Sequence, residues 1–458
     1  MAGIGFELKR IFAKKTLFSS LSGVLYSAFT TIGSSLMFTV LLFVIQVIIR
    51  HSDVTELESL FFTSSFTYAF LIAILVSSLL STIISRYISD KIFEQKESDI
   101  SASLYGALCM GTVIAGLVAT ILCIFMYKDN IPMYFLATYY FLVIMAVDSY
   151  ILLAYISALK EYKKIALSYL CGIIVVILLV FILQKCFAFN LIFALYLALD
   201  VGFFITNFML VYYCLKAFGS KVENCFEFLS YYKKYPVLML NGCFYILGFY
   251  VSNIIYWFFS DMQATVSIFK IAPNYDWALF LATLINMSSL VIFEIKTETN
   301  FYDKYVAYLS VINKGTYEQI ENERLSMQNT INLQLFFVYE IQLIITIISI
   351  CVINVLHTYL GIGEQVLQTF MILGMALYCV FSMYFTMIFL YYFSDYKSAL
   401  FASSSFLVTV VLGSFVCCYW GSPYYPLPIL IGGIVGWLVS FVKLRRRLKN
   451  LNKFLMCR

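Results

Sequence analysis

Charge is scarce in this 458-residue chain: Asp, Glu, Lys and Arg make up 12% of it, against roughly a quarter in a soluble domain. Histidine is nearly absent, with only His51 and His357, both beside the ends of apolar runs. That excludes a His-rich metal centre and a histidine base at membrane depth. The twelve cysteines contain no C-x-x-C spacing. Most, such as Cys109, Cys123, Cys171 and Cys351, sit inside apolar runs and read as small buried hydrophobes rather than a disulfide framework. The chain also lacks a Walker motif, a glycine-rich phosphate loop after a strand, and a Ser/His/Asp set, so ATP hydrolysis is not expected. The reading is of no enzyme, no metal and no cofactor. The net charge of +5 carries no nucleic-acid signature, because placement matters more than the sum.

Apolar residues are what the chain has: 62% are hydrophobic, too many for a water-soluble surface. They fall into twelve stretches, each near the roughly 20 residues that cross a bilayer. The first six run over 17–49, 61–85, 101–126, 132–159, 165–184 and 191–215. The others run over 237–259, 277–293, 335–356, 366–393, 400–420 and 427–442. The expected class is an all-α polytopic membrane protein of about twelve transmembrane helices. The first stretch exceeds one bilayer thickness, so a tilt, a kink near Gly33 or an extension is expected there.

The cations test this count. With both termini cytoplasmic, only Arg50, Lys128, Lys185 and Lys270 lie outside, leaving 26 of the 30 Lys and Arg on the inner side and none within a stretch. This is the positive-inside pattern, and it implies a multi-pass protein of the cytoplasmic membrane. Residues 1–15 place Ile4, Leu8, Ile11 and Phe12 beside four cations, as in a short helix lying on the inner leaflet. The expected organisation is a six-helix bundle over 1–215, a cytoplasmic linker over 216–236, a second bundle over 237–442 and a basic tail over 443–458. A cytoplasmic segment at 294–334 carries Phe301, Tyr305, Tyr308 and Ile312 on one helical face. It is expected to lie on the membrane or against a partner.

Acids at membrane depth are costly and invite a functional reading. Asp148 lies near the middle of the fourth stretch and Asp200 within the sixth, with no intramembrane cation to neutralise either. Both are candidates for ion coupling, the bland reading being a hydrogen-bonded helix lock. Glu340, near the inner end of the ninth stretch, is a third candidate and is also placed to snorkel to the interface. Lys270 and Asp276 mark the outer mouth. Aromatics are plentiful, with 36 Tyr, 44 Phe and 4 Trp. Tyr26, Tyr139, Tyr140, Tyr245, Tyr250 and Trp257 are candidates to stack on sugar rings, although interfacial belts absorb most aromatics. The lack of intramembrane Lys and Arg disfavours a pyrophosphate head group held at depth.

The opening Met-Ala-Gly-Ile-Gly-Phe-Glu-Leu-Lys-Arg, the run Phe-Glu-Ile-Lys-Thr-Glu-Thr-Asn-Phe-Tyr-Asp-Lys-Tyr at 293–305 and Ala-Pro-Asn-Tyr-Asp at 272–276 resemble PelG-type proteins. These are the polytopic component of Pel exopolysaccharide export. The chain departs from that family in its richness in Phe, Tyr, Ile and Lys. The family is similar to the multidrug/oligosaccharidyl-lipid/polysaccharide flippases, with two six-helix bundles around a central cavity and alternating access. The resemblance implies export of an N-acetylhexosamine-rich polymer or its lipid-linked precursor, contributing to biofilm matrix. The implied partners are a cytoplasmic glycosyltransferase and other membrane subunits, with no nucleic acid. A cation-coupled drug exporter of the same superfamily and a membrane scaffold recruiting a glycosyltransferase remain the alternatives.

Overall fold

The computed structural model describes residues 17–50, 52, 54–159, 162–187, 189–220, 222–296, 300–312 and 315–456. The helix expected over 1–15 lies outside them. Six long helices come first: α1 (Leu17–Arg50), α2 (Glu56–Phe93), α3 (Glu97–Lys128), α4 (Met133–Ile156), α5 (Tyr162–Phe187) and α6 (Leu191–Phe218). A short α7 (Ser230–Lys234) precedes α8 (Pro236–Phe259), a two-stranded hairpin β1 (Ala264–Val266) and β2 (Phe269–Ile271), and α9 (Pro273–Lys296). The remaining helices are α10 (Tyr302–Ile312), α11 (Tyr317–Leu360), α12 (Glu364–Tyr392), α13 (Tyr396–Trp420), α14 (Leu427–Lys449) and α15 (Leu451–Met456).

The starts of these helices are written locally. Thr55 and Glu58 form a reciprocal capping box at α2, and Thr316 and Gln319 form another at α11. The Asn190 side chain accepts the Ile192 amide at α6. Each pairing satisfies amides that a helix leaves open at its first turn.

Among the described residues, eleven helices are long and apolar enough to cross a membrane, one fewer than the twelve expected. The difference is α1. Its described part contributes the shorter apolar helix Ser35–Ile49, and its backbone leaves helical geometry at Ile32. The 44 residues of α11 extend about 66 Å, well beyond a hydrocarbon core of about 30 Å. Residues 317–334, expected in a separate segment, are therefore the first half of the same continuous helix.

Two compact units are present. Unit 1 holds 29–246 together with 264–271, and unit 2 holds 247–263, 272 onward and the start of α1 through Ala28. In unit 1, α4 packs against α2, α3 and α6, and α5 lies along α6. In unit 2, α12 is the central helix, packed by α9, α11, α13 and α14. Outward stripes such as Val113, Leu117, Ile121 and Ile124 on α3, or Val408, Leu412 and Phe415 on α13, stay exposed. In water such stripes would drive aggregation, whereas lipid solvates them.

Residues 222–235, within the expected linker, pack onto unit 1. Phe228 is fully buried, and the Lys91 ammonium of α2 reaches Glu227 at 2.9 Å and Asp99 at 3.1 Å. A buried ammonium persists only when paired in this way. Gly106 of α3 makes the approach possible: a Cβ there would lie 2.1 Å from the Cys225 carbonyl oxygen.

Candidate transport residues

The two intramembrane acids lie on different helices of unit 1. Asp148 on α4 turns to α3, where Thr112 Oγ1 lies 3.4 Å from each carboxylate oxygen. These contacts are too long to be strong hydrogen bonds. The next residue, Ser149, turns to α6 and donates to Asn207 Oδ1 at 2.7 Å, while the Asn207 amide donates to the Met145 carbonyl at 2.8 Å. Asp200 lies on α6 one turn beyond Tyr196, and its Oδ1 is buried with no hydrogen-bond partner among the described residues. No hydrogen bond joins the two carboxylates among those residues. Glu340 is exposed on α11.

Several aromatic candidates are committed to packing. Tyr139 is fully buried in unit 1. Its ring meets Tyr196 and Phe269 edge-on at 6.5 and 5.9 Å, and its hydroxyl has no partner among the described residues. The Tyr140 hydroxyl sits over Gly116 of α3. Tyr245 is buried in α8, and Tyr250 packs against Phe249 with ring centroids 4.8 Å apart. The Tyr26 side chain lies outside the described residues. Sugar stacking on Tyr139, Tyr245 or Trp257 therefore requires these rings to leave their present packing.

Lys270 lies in β2, its backbone held by Tyr68 of α2: the Tyr68 hydroxyl donates to the Lys270 carbonyl at 2.9 Å and accepts its amide at 3.3 Å. Asp276, in the first turn of α9, receives the Trp257 indole N–H at 2.9 and 3.0 Å, the Asn253 amide at 2.7 Å and the Ala272 backbone N–H at 3.1 Å. The structure thus joins a residue assigned to the outer mouth with one assigned to sugar stacking. Four donated contacts on one carboxylate leave Asp276 little capacity for a ligand.

The face of Phe301, Tyr305, Tyr308 and Ile312 is turned largely inward. Phe301 and Tyr308 are fully buried, and Phe301 meets the rings of Phe389 and Tyr392. Tyr308 donates to Asn452 Oδ1 at 2.7 Å, and Asn452 donates to Glu321 Oε2 at 2.7 Å. Glu321 also pairs with Arg324, which donates to the Leu448 carbonyl at 2.9 Å. Burial pushes the Tyr308 phenol up to about 12, so its hydroxyl remains a donor at any ordinary pH.

Neutral amides form a second interior network that a charge-based reading misses. In unit 2, Gln342 donates to Asn286 Oδ1 at 3.1 Å and to Thr346 at 3.2 Å. Ser288 donates to Gln342 Oε1 at 2.9 Å, and Asn286 donates to the Gly374 carbonyl at 3.1 Å. The signal was present as Asn and Gln within apolar stretches.

The fold has solved counterparts. A structure described as "Outward-facing conformation of a multidrug resistance MATE family transporter of the MOP superfamily" aligns with a TM-score of 0.64 at 14% identity, covering 94% of this chain and 96% of that one. A MOP superfamily transporter from Pyrococcus furiosus aligns with a TM-score of 0.62 at 13% identity, covering 93% and 94%. At such identities the likeness establishes a MATE-like fold alone. No curated protein matches the chain in sequence. The profile of the PelG family, described as "Putative exopolysaccharide Exporter (EPS-E)", matches residues 1–455. By that match over nearly its whole length, the chain belongs to the PelG family of membrane transporters.

Proposed function

We propose that this chain exports an N-acetylhexosamine-rich exopolysaccharide, or its lipid-linked precursor, across the cytoplasmic membrane with both termini inside. The single observation that carries the reading is the family match over 1–455, on a MATE-like fold. The distribution of cations supports the orientation. Ion coupling through Asp148 and Asp200 is part of the proposal. The unpartnered Asp200 Oδ1 and the long contacts of Asp148 leave both carboxylates with unused capacity, which a purely structural lock would have filled.

The polymer is made by a cytoplasmic glycosyltransferase and enters biofilm matrix once outside. A deletion strain complemented with the chain tests the reading by secreted hexosamine polymer. Failure to restore polymer, together with raised resistance to a cationic dye, would favour a drug exporter instead.

A further inference from the structure

The chain changes unit three times from within α8 to the start of α9. It leaves unit 1 after Ile246, runs through unit 2 over 247–263, returns to unit 1 for 264–271 and re-enters unit 2 at Ala272. The returning piece is the β1–β2 hairpin, which pairs Ala264 with Ile271 and Val266 with Phe269. Its two-residue turn places Ser267 at a positive φ of 54°, as tight hairpin turns require. A hairpin of two three-residue strands has marginal stability by itself, so its seat must order it.

Unit 1 supplies a seat for it. Phe269 is fully buried among Phe61, Tyr68 and Tyr139, with ring centroids 6.0, 4.9 and 5.9 Å away. Tyr68 holds both backbone groups of Lys270, and Ser267 donates to Asp129 Oδ2 at 2.7 Å. The chain is equally fixed on either side. Before the hairpin, Asp261 accepts the Tyr425 hydroxyl; after it, the Ala272 amide is held by Asp276. Only Met262 and Gln263 separate the entry anchor from β1, and no residue separates Ile271 from Ala272. A lid needs slack or hinge residues at its ends, and this segment has little of either.

We infer that the hairpin Ala264–Ile271 is a permanent strap: it stays seated on unit 1 and does not lift as a lid, although the chain on both sides belongs to unit 2. This goes beyond the proposed export reading, and seating is measured separately from export. Cysteines replace Ser267 and Asp129 in the full chain, in native membranes, with each single variant as a control. A short, reductant-cleavable bis-methanethiosulfonate then reports how many molecules have the hairpin seated.

Most molecules are expected to crosslink, with export unchanged by the link. Adding Phe269→Ala should lower crosslinking and export severalfold, and forming the link should then restore export until reductant is added. Rescue by the link separates loss of the seat from simple misfolding. A crosslinking plateau covering only a minority of molecules overturns the strap, whatever the export result. So does a link that stops export in the protein retaining Phe269, or a Phe269→Ala variant that seats normally. If even the unmodified chain exports nothing, the export reading fails and the crosslinking plateau alone decides the strap.

Discussion

Tyr68 and Lys270, 202 residues apart, meet through one hydroxyl that donates to the Lys270 carbonyl and accepts the Lys270 amide. The contact ties α2 to a hairpin encoded beyond α8. Tyr68→Phe removes both of these hydrogen bonds, at about 1 kcal/mol for each. Amide exchange over 264–271 should accelerate by a factor of about 5–30, with the rest of unit 1 unchanged. Hydrogen exchange by mass spectrometry reads this directly.

Asp276 organises the start of α9 by collecting donors from Trp257, Asn253 and Ala272. Asp276→Ala removes the acceptor that these buried donors share, at about 1–3 kcal/mol for each donor. Trp257→Phe removes one donor and leaves the carboxylate its other two. The expected order of thermal stability in purified protein is parent, then Trp257→Phe, then Asp276→Ala.

The Asn286–Gln342 network contributes modestly, since interhelical hydrogen bonds in membranes average about 0.6 kcal/mol. A paired replacement, Asn286→Leu with Gln342→Met, keeps volume while removing both polar partners. It should change stability less than Asn286→Ala alone, which leaves a void and strands Gln342. Parallel thermal melts of the two variants in detergent provide the comparison.

Gly106 is a site where one methyl group decides. The Cβ of Gly106→Ala would lie 2.1 Å from a backbone oxygen, so residues 222–229 must shift. Overpacking of this kind costs about 1–3 kcal/mol. Proteolysis near Cys225 should rise in this variant, while Gly219→Ala, with open space around its Cβ but a positive φ, should weaken only the end of α6.

The helices were legible because an apolar run of bilayer length has few other uses. The boundaries were less so. Hydropathy ends where charge begins, but α2 continues through Arg86 and Lys91 to Phe93, and α11 begins among the polar residues from Tyr317. The break at Ile32 depends on backbone geometry, although the excess length of that stretch hinted at it. Asp148 and Asp200 stood out as lone charges. The partnership of Asp276 with Trp257 did not, because it joins different helices 19 residues apart. The hairpin escaped notice because eight residues between two apolar stretches read as an ordinary loop. Asn286 and Gln342 carry no charge and vanish in a hydropathy average.

The central claim is export, and secreted hexosamine polymer tests it most directly. The measurement compares a deletion strain carrying the chain with one carrying the empty vector, at a verified level of membrane-inserted protein. The account predicts polymer outside the cell only with the chain, and a marked fall when Asp148→Asn and Asp200→Asn are combined. Equal secretion with and without the chain would contradict it.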